Sequence, residues 1–240
     1  MLITARGLTR TFGPPGAQTQ ALAGVDLDVV PGSVAIMGPS GSGKTTLLHC
    51  LAGIDRPTSG SVRLGETELA TLPDRHRTAL RRRELGFVFQ SGQLLPELPA
   101  DENVALPLLL GGLALAPARV RSREWLGRLG LAGMEDRRPG ELSGGQAQRV
   151  AIARALVTGP TVVFADEPTG ALDQATGRSV MDLLVRSVTG SGAALVVVTH
   201  DLAVAGCCDR IVEMRDGRVV AQHPPVEHIA AQHRPGAVAR

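Results

Sequence analysis

Short runs of alternating and continuous apolar residues open the chain. "MLITAR", "ALAGVDLDVV" and "GSVRLG" have the period of half-buried β-strands. A further run, "SVAIMG", is apolar throughout, as a strand covered on both faces would be, and it leads directly into the glycine-rich "GPSGSGKTT". Helical apolar spacing follows in "KTTLLHCLAGI" and stops at the turn-rich "DRPTSG". The pattern predicts a small antiparallel layer beside a strand, a glycine loop and a helix.

From residue 94 to about 140 the spacing turns helical and Pro-interrupted, with "ADENVALPLLL" and "APARVRSREWLGRLGL" as two helices of an insertion. Then come helix "GGQAQRVAIARALVTG", strand "TVVFAD", helix "QATGRSVMDLLVRSVTG" and strand "AALVVVTH". "RIVEMRDGRVVAQ" reads as a closing hairpin that turns at Asp216 and Gly217. Strands alternating with helices predict an α/β fold with a mainly parallel sheet, an antiparallel β layer and an inserted helical subdomain. The expected organisation is one domain over residues 1–223, with the insertion at about 91–158, and a peripheral tail at 224–240.

Composition narrows the picture. In 240 residues, 43% hydrophobic and 20% charged, the chain has the balance of an ordinary globular unit, and a net charge of +2 is too small to argue for nucleic acid or an anionic membrane. The basic run "RHRTALRRRELGF", residues 75–87, carries five arginines without interleaved base-stacking aromatics, so it predicts a solvated helix face and no nucleic-acid partner. Cys50, Cys207 and Cys208 fit neither a disulfide framework nor a metal-binding spacing, and read as reduced thiols of a cytosolic protein. "MLITARGLTRTF" lacks the apolar core of a signal peptide. The uncharged, largely apolar stretch at residues 104–118 is shorter than the roughly 18 residues of a spanning helix, contains Pro107, Gly111 and Gly112, and suits a surface that meets another protein.

The chemistry collects at strand ends. "GPSGSGKT" matches G-x-x-x-x-G-K-[ST], the P-loop, in its expected place between an apolar strand and a helix. The backbone of Gly38, Pro39, Ser40, Gly41, Ser42 and Gly43 would wrap phosphates, Lys44 would reach the β and γ phosphates, and the Thr45 hydroxyl would bind Mg²⁺, with Thr46 completing the run. "TVVFADEP" ends an apolar strand in two carboxylates, which a parallel sheet brings beside that loop. Asp166 is then the metal ligand and Glu167 the group that orients or deprotonates the attacking water. His200 ends "AALVVVTH" at the same edge and suits a γ-phosphate contact, with a helix cap or a satisfied core residue as the plainer alternatives. Gln90, ending "LGFVFQ", offers a neutral polar side chain to metal or water. Phe12 can stack on adenine, and a core role stands beside that reading. Finally, Ser143 and Gln146 of "LSGGQ" fit a capping box, and Gly144 and Gly145 leave the first-turn N–H groups bare, an anion-binding helix start.

In this order, "GPSGSGKTT", "FVFQ", "LSGGQ", "VVFADEP", "GALD" and "VVVTH" resemble the ATP-binding subunits of ABC transporters over essentially the whole chain. The resemblance implies ATP and Mg²⁺ as cofactors and an ATPase reaction. Gln90, Lys44, Glu167 and His200 are then catalytic, and Thr45, Gln90 and Asp166 face the metal. It also implies that two copies pack head to tail, so that Ser143, Gly144, Gly145 and Gln146 close over the nucleotide held by the partner subunit. "GFVFQ…LLPELPADENVALPL" and "DEPTGALD" look like the lipoprotein-releasing and macrolide-efflux branch, which implies an integral membrane permease with a large extracytoplasmic domain and a place on the inner face of the cell membrane. Phe12 stands where Tyr is frequent, Ala147 where Gln is frequent, and Gly170 where many other branches have Ser. The alternatives are an ATPase that regulates a membrane partner without transport, and a soluble one acting on nucleic acid or ribosomes.

Overall fold

The computed structural model describes residues 1–14 and 16–224, so the expected tail, apart from Pro224, lies outside the described residues. Strands β1 (Ile3–Phe12) and β2 (Thr19–Val29) pair antiparallel; with β4 (Ser59–Leu64) and β5 (Thr67–Glu68) they form a four-stranded sheet ordered β2-β1-β4-β5. A second sheet contains β3 (Gly32–Met37), β6 (Leu85–Phe89), β7 (Val162–Asp166), β8 (Ala194–Val198), β9 (Arg210–Arg215) and β10 (Arg218–His223), in the order β10-β9-β3-β8-β7-β6. All its pairings are parallel except the β9–β10 hairpin.

Register decides what this sheet can do. Phe89 of β6 lies opposite Asp166 of β7, Asp166 opposite Val198 of β8, and Val198 opposite Ile36 of β3. The next residues along each strand are therefore delivered to one edge: Gln90, Glu167, the Thr199–His200 pair and the glycine loop that follows Met37. An edge formed by the carboxyl ends of parallel strands is where ligands bind in open α/β sheets.

Helices α1 (Lys44–Leu51), α5 (Gly144–Leu156) and α6 (Gln174–Thr189) cover the sheet. One core cluster joins α1 to both sheets through Leu47, Leu48, Leu51, Ile36, Phe164 and Leu22. The other joins α5 and α6 to the insertion through Val150, Val180, Leu184, Val163 and Leu126. Each such fully buried side chain contributes roughly 1.5–3 kcal/mol relative to exposure. The insertion consists of α3 (Ala100–Leu110) and α4 (Leu115–Arg128). Asp101, fully buried, accepts from Arg119 Nε at 2.8 Å and Arg123 Nε at 2.9 Å, and both arginines also reach Asp136. Backbone bonds from Ala100 N to Arg137 O and from Asp101 N to Glu135 O, at 2.8 and 2.9 Å, tie the start of α3 to the segment that leads into "LSGGQ".

The basic run departs from expectation. It forms helix α2 (Asp74–Glu84) and then β6, but its arginines are not all solvated. Arg77 is 7% exposed beside Asp74, Arg81 donates to Gly53 O at 2.6 Å, and Arg82 donates to Leu110 O. Long arginine stems cover apolar surface while the guanidinium finds carbonyls, so this helix fastens the end of the α1 region to α3.

Candidate active site

The glycine loop is shaped by its own backbone. Gly43 has φ +95° and a Cβ there would collide with the Ala21 carbonyl, so only glycine permits this entry into α1. Lys44 Nζ donates to the carbonyls of Gly38 at 2.7 Å and Pro39 at 2.9 Å, which brings the ammonium back over the loop. Ser42 is 3% exposed, and its hydroxyl has no hydrogen-bond partner among the described residues. An orphaned buried hydroxyl at the start of a helix fits an anion that supplies the missing partner.

Beside it, Thr45 Oγ1 stands 3.4 Å from Asp166 Oδ2. Burial pushes the Asp166 carboxyl up from its ordinary value, the Glu167 carboxylate adds to the rise, and Thr45 opposes it. One hydroxyl and one half-buried carboxylate beside a phosphate cradle form the donor set that Mg²⁺ would use when phosphates and waters complete its shell. Gln90 is delivered to the same edge, but its side chain lies over Gly170: a Cβ on Gly170 would stand 2.8 Å from Gln90 Nε2. Among the described residues no hydrogen bond joins Gln90 to Thr45 or Asp166. Glycine at 170 is what leaves room for the Gln90 amide.

Glu167 has φ +46°, a left-handed conformation that few non-glycine residues hold and that surrounding structure must stabilise. Its carboxylate is gripped from the end of β8: Thr199 Oγ1 donates at 3.0 Å, His200 N at 3.1 Å, and His200 Nδ1 lies 2.6 Å away. The capping alternative for His200 does not hold, because Asp201 caps the short helix α7 (Leu202–Ala205) by accepting from Ala203 N at 2.8 Å. Thr199, which the sequence reading passed over, is signalled only by its place one residue before His200.

Phe12 is 41% exposed, with the Arg10 guanidinium carbon 4.4 Å from the ring centre. The core alternative for Phe12 therefore falls, since the ring has solvent on one side and a cation on the other. At "LSGGQ" the capping box forms: Gln146 N donates to Ser143 Oγ at 3.3 Å and Ser143 N donates to Gln146 Oε1 at 2.9 Å. Its glycines also have a cause inside the chain. A Cβ on Gly145 would stand 2.6 Å from Thr176 Cγ2, and one on Gly144 would stand 3.1 Å from Leu172 Cδ2. Gln148 is a further residue that sequence reasoning missed, a polar side chain on the covered face of α5, 3% exposed.

A parallel sheet whose strand ends carry a glycine cradle, a Thr–Asp pair and a gripped glutamate defines a P-loop nucleotide hydrolase. The chain belongs to the ABC transporter family, whose sequence pattern matches residues 22–170, and it is an ATP-binding, ATP-hydrolysing cassette that uses ATP and Mg²⁺. It is 44% identical over 223 residues to the lipoprotein-releasing system ATP-binding protein LolD of Legionella pneumophila, which covers 92% of this chain and 98% of that protein. It is 46% identical over 222 residues to the macrolide export ATP-binding/permease protein MacB of Nitrosomonas europaea, covering 92% of this chain but only 34% of MacB, so it spans about a third of that relative's length. Among solved structures, a dimeric ATP-binding cassette in a post-hydrolysis state with ADP and Pi superposes with a TM-score of 0.83 at 40% identity, covering 92% of this chain and 98% of that one.

Proposed function

We propose that the chain works as the energy-supplying subunit of an exporter or membrane-extraction system, through a separate permease, as one half of a homodimer on the inner face of the cell membrane. The similarity to LolD over nearly its full length supports the separate permease, and the dimeric cassette supports the pairing. Neither a regulator without transport nor a ribosome-acting ATPase has an observation of its own in its favour. Among the described residues no helix is long and apolar enough to cross a membrane, which fits attachment through a partner.

In this reading the nitrogen-rich cradle at residues 38–46 holds the phosphates, Thr45 and Asp166 hold Mg²⁺, which neutralises phosphate charge, and Glu167 orients the attacking water. Gln90 and His200 bear on metal, water and γ-phosphate, and Phe12 stacks on the adenine. Ser143, Gly144, Gly145 and Gln146 serve the partner's nucleotide. Residues 1–223 act as the ATP-binding domain; within the insertion expected at about 91–158, whose last helix α5 packs on the sheet, α3 is the part that meets the permease.

The observation that carries the transport reading is a groove of about 630 Å³ between α2, β6 and α3, lined by Arg81, Phe89, Gln93, Leu106, Leu110 and Arg154. Leu110 is 64% exposed at its rim, a large apolar side chain suited to a helix of a membrane partner. Leu94, by contrast, packs against the core and belongs to the cassette itself. Leu110→Glu should abolish co-purification with the permease and the transport it drives, while the isolated cassette hydrolyses ATP within about twofold of its normal rate. Unchanged co-purification and transport in a folded Leu110→Glu protein would remove the groove from the permease interface.

A further inference from the structure

We propose that Gln148 is a positioning residue for hydrolysis: its side-chain amide pins the stem of the Gln90 loop and the turn that carries Glu167 to the helix that begins at "LSGGQ". The inference rests on the roles proposed above for Gln90 and Glu167.

Gln148 Nε2 donates to Phe89 O at 2.9 Å and to Pro168 O at 2.7 Å. These carbonyls belong to the residue before Gln90 and the residue after Glu167. Both are acceptors, so the NH₂ group with its two donors must face them, and this fixes the orientation of the amide. Further along α5, Arg154 donates to Gln93 O at 2.8 Å and Gly92 O at 2.6 Å. The loop backbone runs close against the helix: a Cβ on Gly92 would stand 3.3 Å from Gln148 Oε1 and 3.6 Å from Ala151 Cβ. Gln93 is held at φ +47°, a conformation that the two arginine bonds help to maintain.

The neighbours of Gln148 on the covered side of α5, Val150, Ala151, Ile152, Ala155 and Leu156, are apolar and buried. An apolar residue at 148 would fill the same helix-to-sheet contact without burying an amide, so packing alone does not call for glutamine. What glutamine adds is direction. It sets two main-chain segments, from different strands, at a fixed distance from one helix. The start of that helix faces the second subunit's nucleotide in the proposed dimer, and Arg154 and Gln93 line the groove proposed for the permease. A shift of α5 is thereby carried to Gln90 and Glu167 of its own chain.

The test uses the purified full chain with MgATP. Gln148→Leu should lower kcat by about tenfold or more, while KM and the affinity for a non-hydrolysed ATP analogue stay within about twofold, because the phosphate cradle is not touched. Amide exchange should quicken at residues 89–93 and 167–170 and stay unchanged at 38–46. If the leucine variant does not fold, Gln148→Met, of similar length and unbranched, repeats the measurement. A folded variant with kcat within about twofold of the parent, or with KM raised and kcat intact, overturns the proposal. Glu167→Gln run in parallel separates the two readings. If it turns over ATP normally, the role given to Glu167 fails and the pin loses its object; if it is inactive while Gln148→Leu is not impaired, only the pin fails.

Discussion

At the residue scale, position in the sheet decides chemistry. Asp166 and Glu167 are adjacent carboxylates with different surroundings: Asp166 is half-buried beside Thr45 with its pKa raised, while Glu167 accepts from Thr199 Oγ1 and His200 N and lies 2.6 Å from His200 Nδ1. Their placement was legible in the sequence because an apolar strand that ends in "DE" delivers them to one edge of the sheet. The grip of Thr199 was not legible, since a threonine at a strand end is also ordinary β-composition. Phe12 could not be placed from sequence either, because one aromatic in a β-run has no period of its own. Its exposure now argues for stacking, so Phe12→Ala should weaken ATP binding by roughly 1–3 kcal/mol with an unchanged melting temperature. A fall in melting temperature with unaltered affinity would contradict that. The thiols make a separate case. Burial pushes Cys50 and Cys208 up to about 12, and burial also raises the half-buried Cys207. At neutral pH a thiol reagent should label the native protein slowly and reach all three cysteines only after denaturation. Folded values above the unfolded value of about 8.5 mean that the unfolded chain loses these protons first, so the contribution to stability is complete below that pH and is lost as pH rises toward 12. Urea midpoints measured at pH 8 and pH 10 should fall accordingly.

At the element scale, the sequence pattern located nearly every strand and helix of the sheet because apolar runs flanked by glycine or carboxylates mark them so sharply. It did not reveal how elements hold each other. Helix α2 illustrates this: five arginines in a short run read as a solvated face, yet burial and carbonyl contacts of Arg77, Arg81 and Arg82 make it a fastening. The two glycines of α5 read in the sequence as an anion site, and their packing requirement against Leu172 and Thr176 did not show there, since α6 and the turn before it are distant in sequence. Gly145→Ala gains about 1 kcal/mol of helix propensity in principle, but its methyl would meet Thr176 Cγ2 at 2.6 Å. The variant should therefore lose stability and turnover together. Adding Thr176→Ser, which deletes that methyl, should restore both, as followed by melting temperature and ATPase rate. A double variant that is stable yet inactive would mean that glycine is needed for the nucleotide rather than for α6.

At the scale of the whole molecule, no hydrogen bond among the described residues joins "LSGGQ" to the glycine cradle of the same chain. The helix start at Ser143 is ordered by its capping box, which uses the Ser143 and Gln146 N–H groups, and is packed from behind by α6, while the N–H groups of Gly144 and Gly145 have no partner among the described residues. The sequence offered two candidate phosphate-holding segments, and only the family resemblance, not the motifs themselves, gave one of them to the partner subunit, because head-to-tail pairing is a property of two surfaces and not of a motif. Mixing variants decides it. Lys44→Ala spoils the cradle and Ser143→Arg fills the helix start with a bulky cation, and each protein alone should be inactive. In a mixed pair with composite sites, one site carries both lesions and the other carries none. Random pairing makes about half of the pairs mixed, each with one sound site of two, so activity should return to roughly a quarter of the parent rate, or less where the two sites are strongly coupled. If each chain instead closes its own helix start over its own cradle, every site in the mixture holds one lesion and nothing returns. Subunit exchange, followed by a fluorescent label on each variant, together with a linked pair known to work with a single sound site, makes silence informative: a silent, exchanging mixture would show that "LSGGQ" serves the chain that carries it.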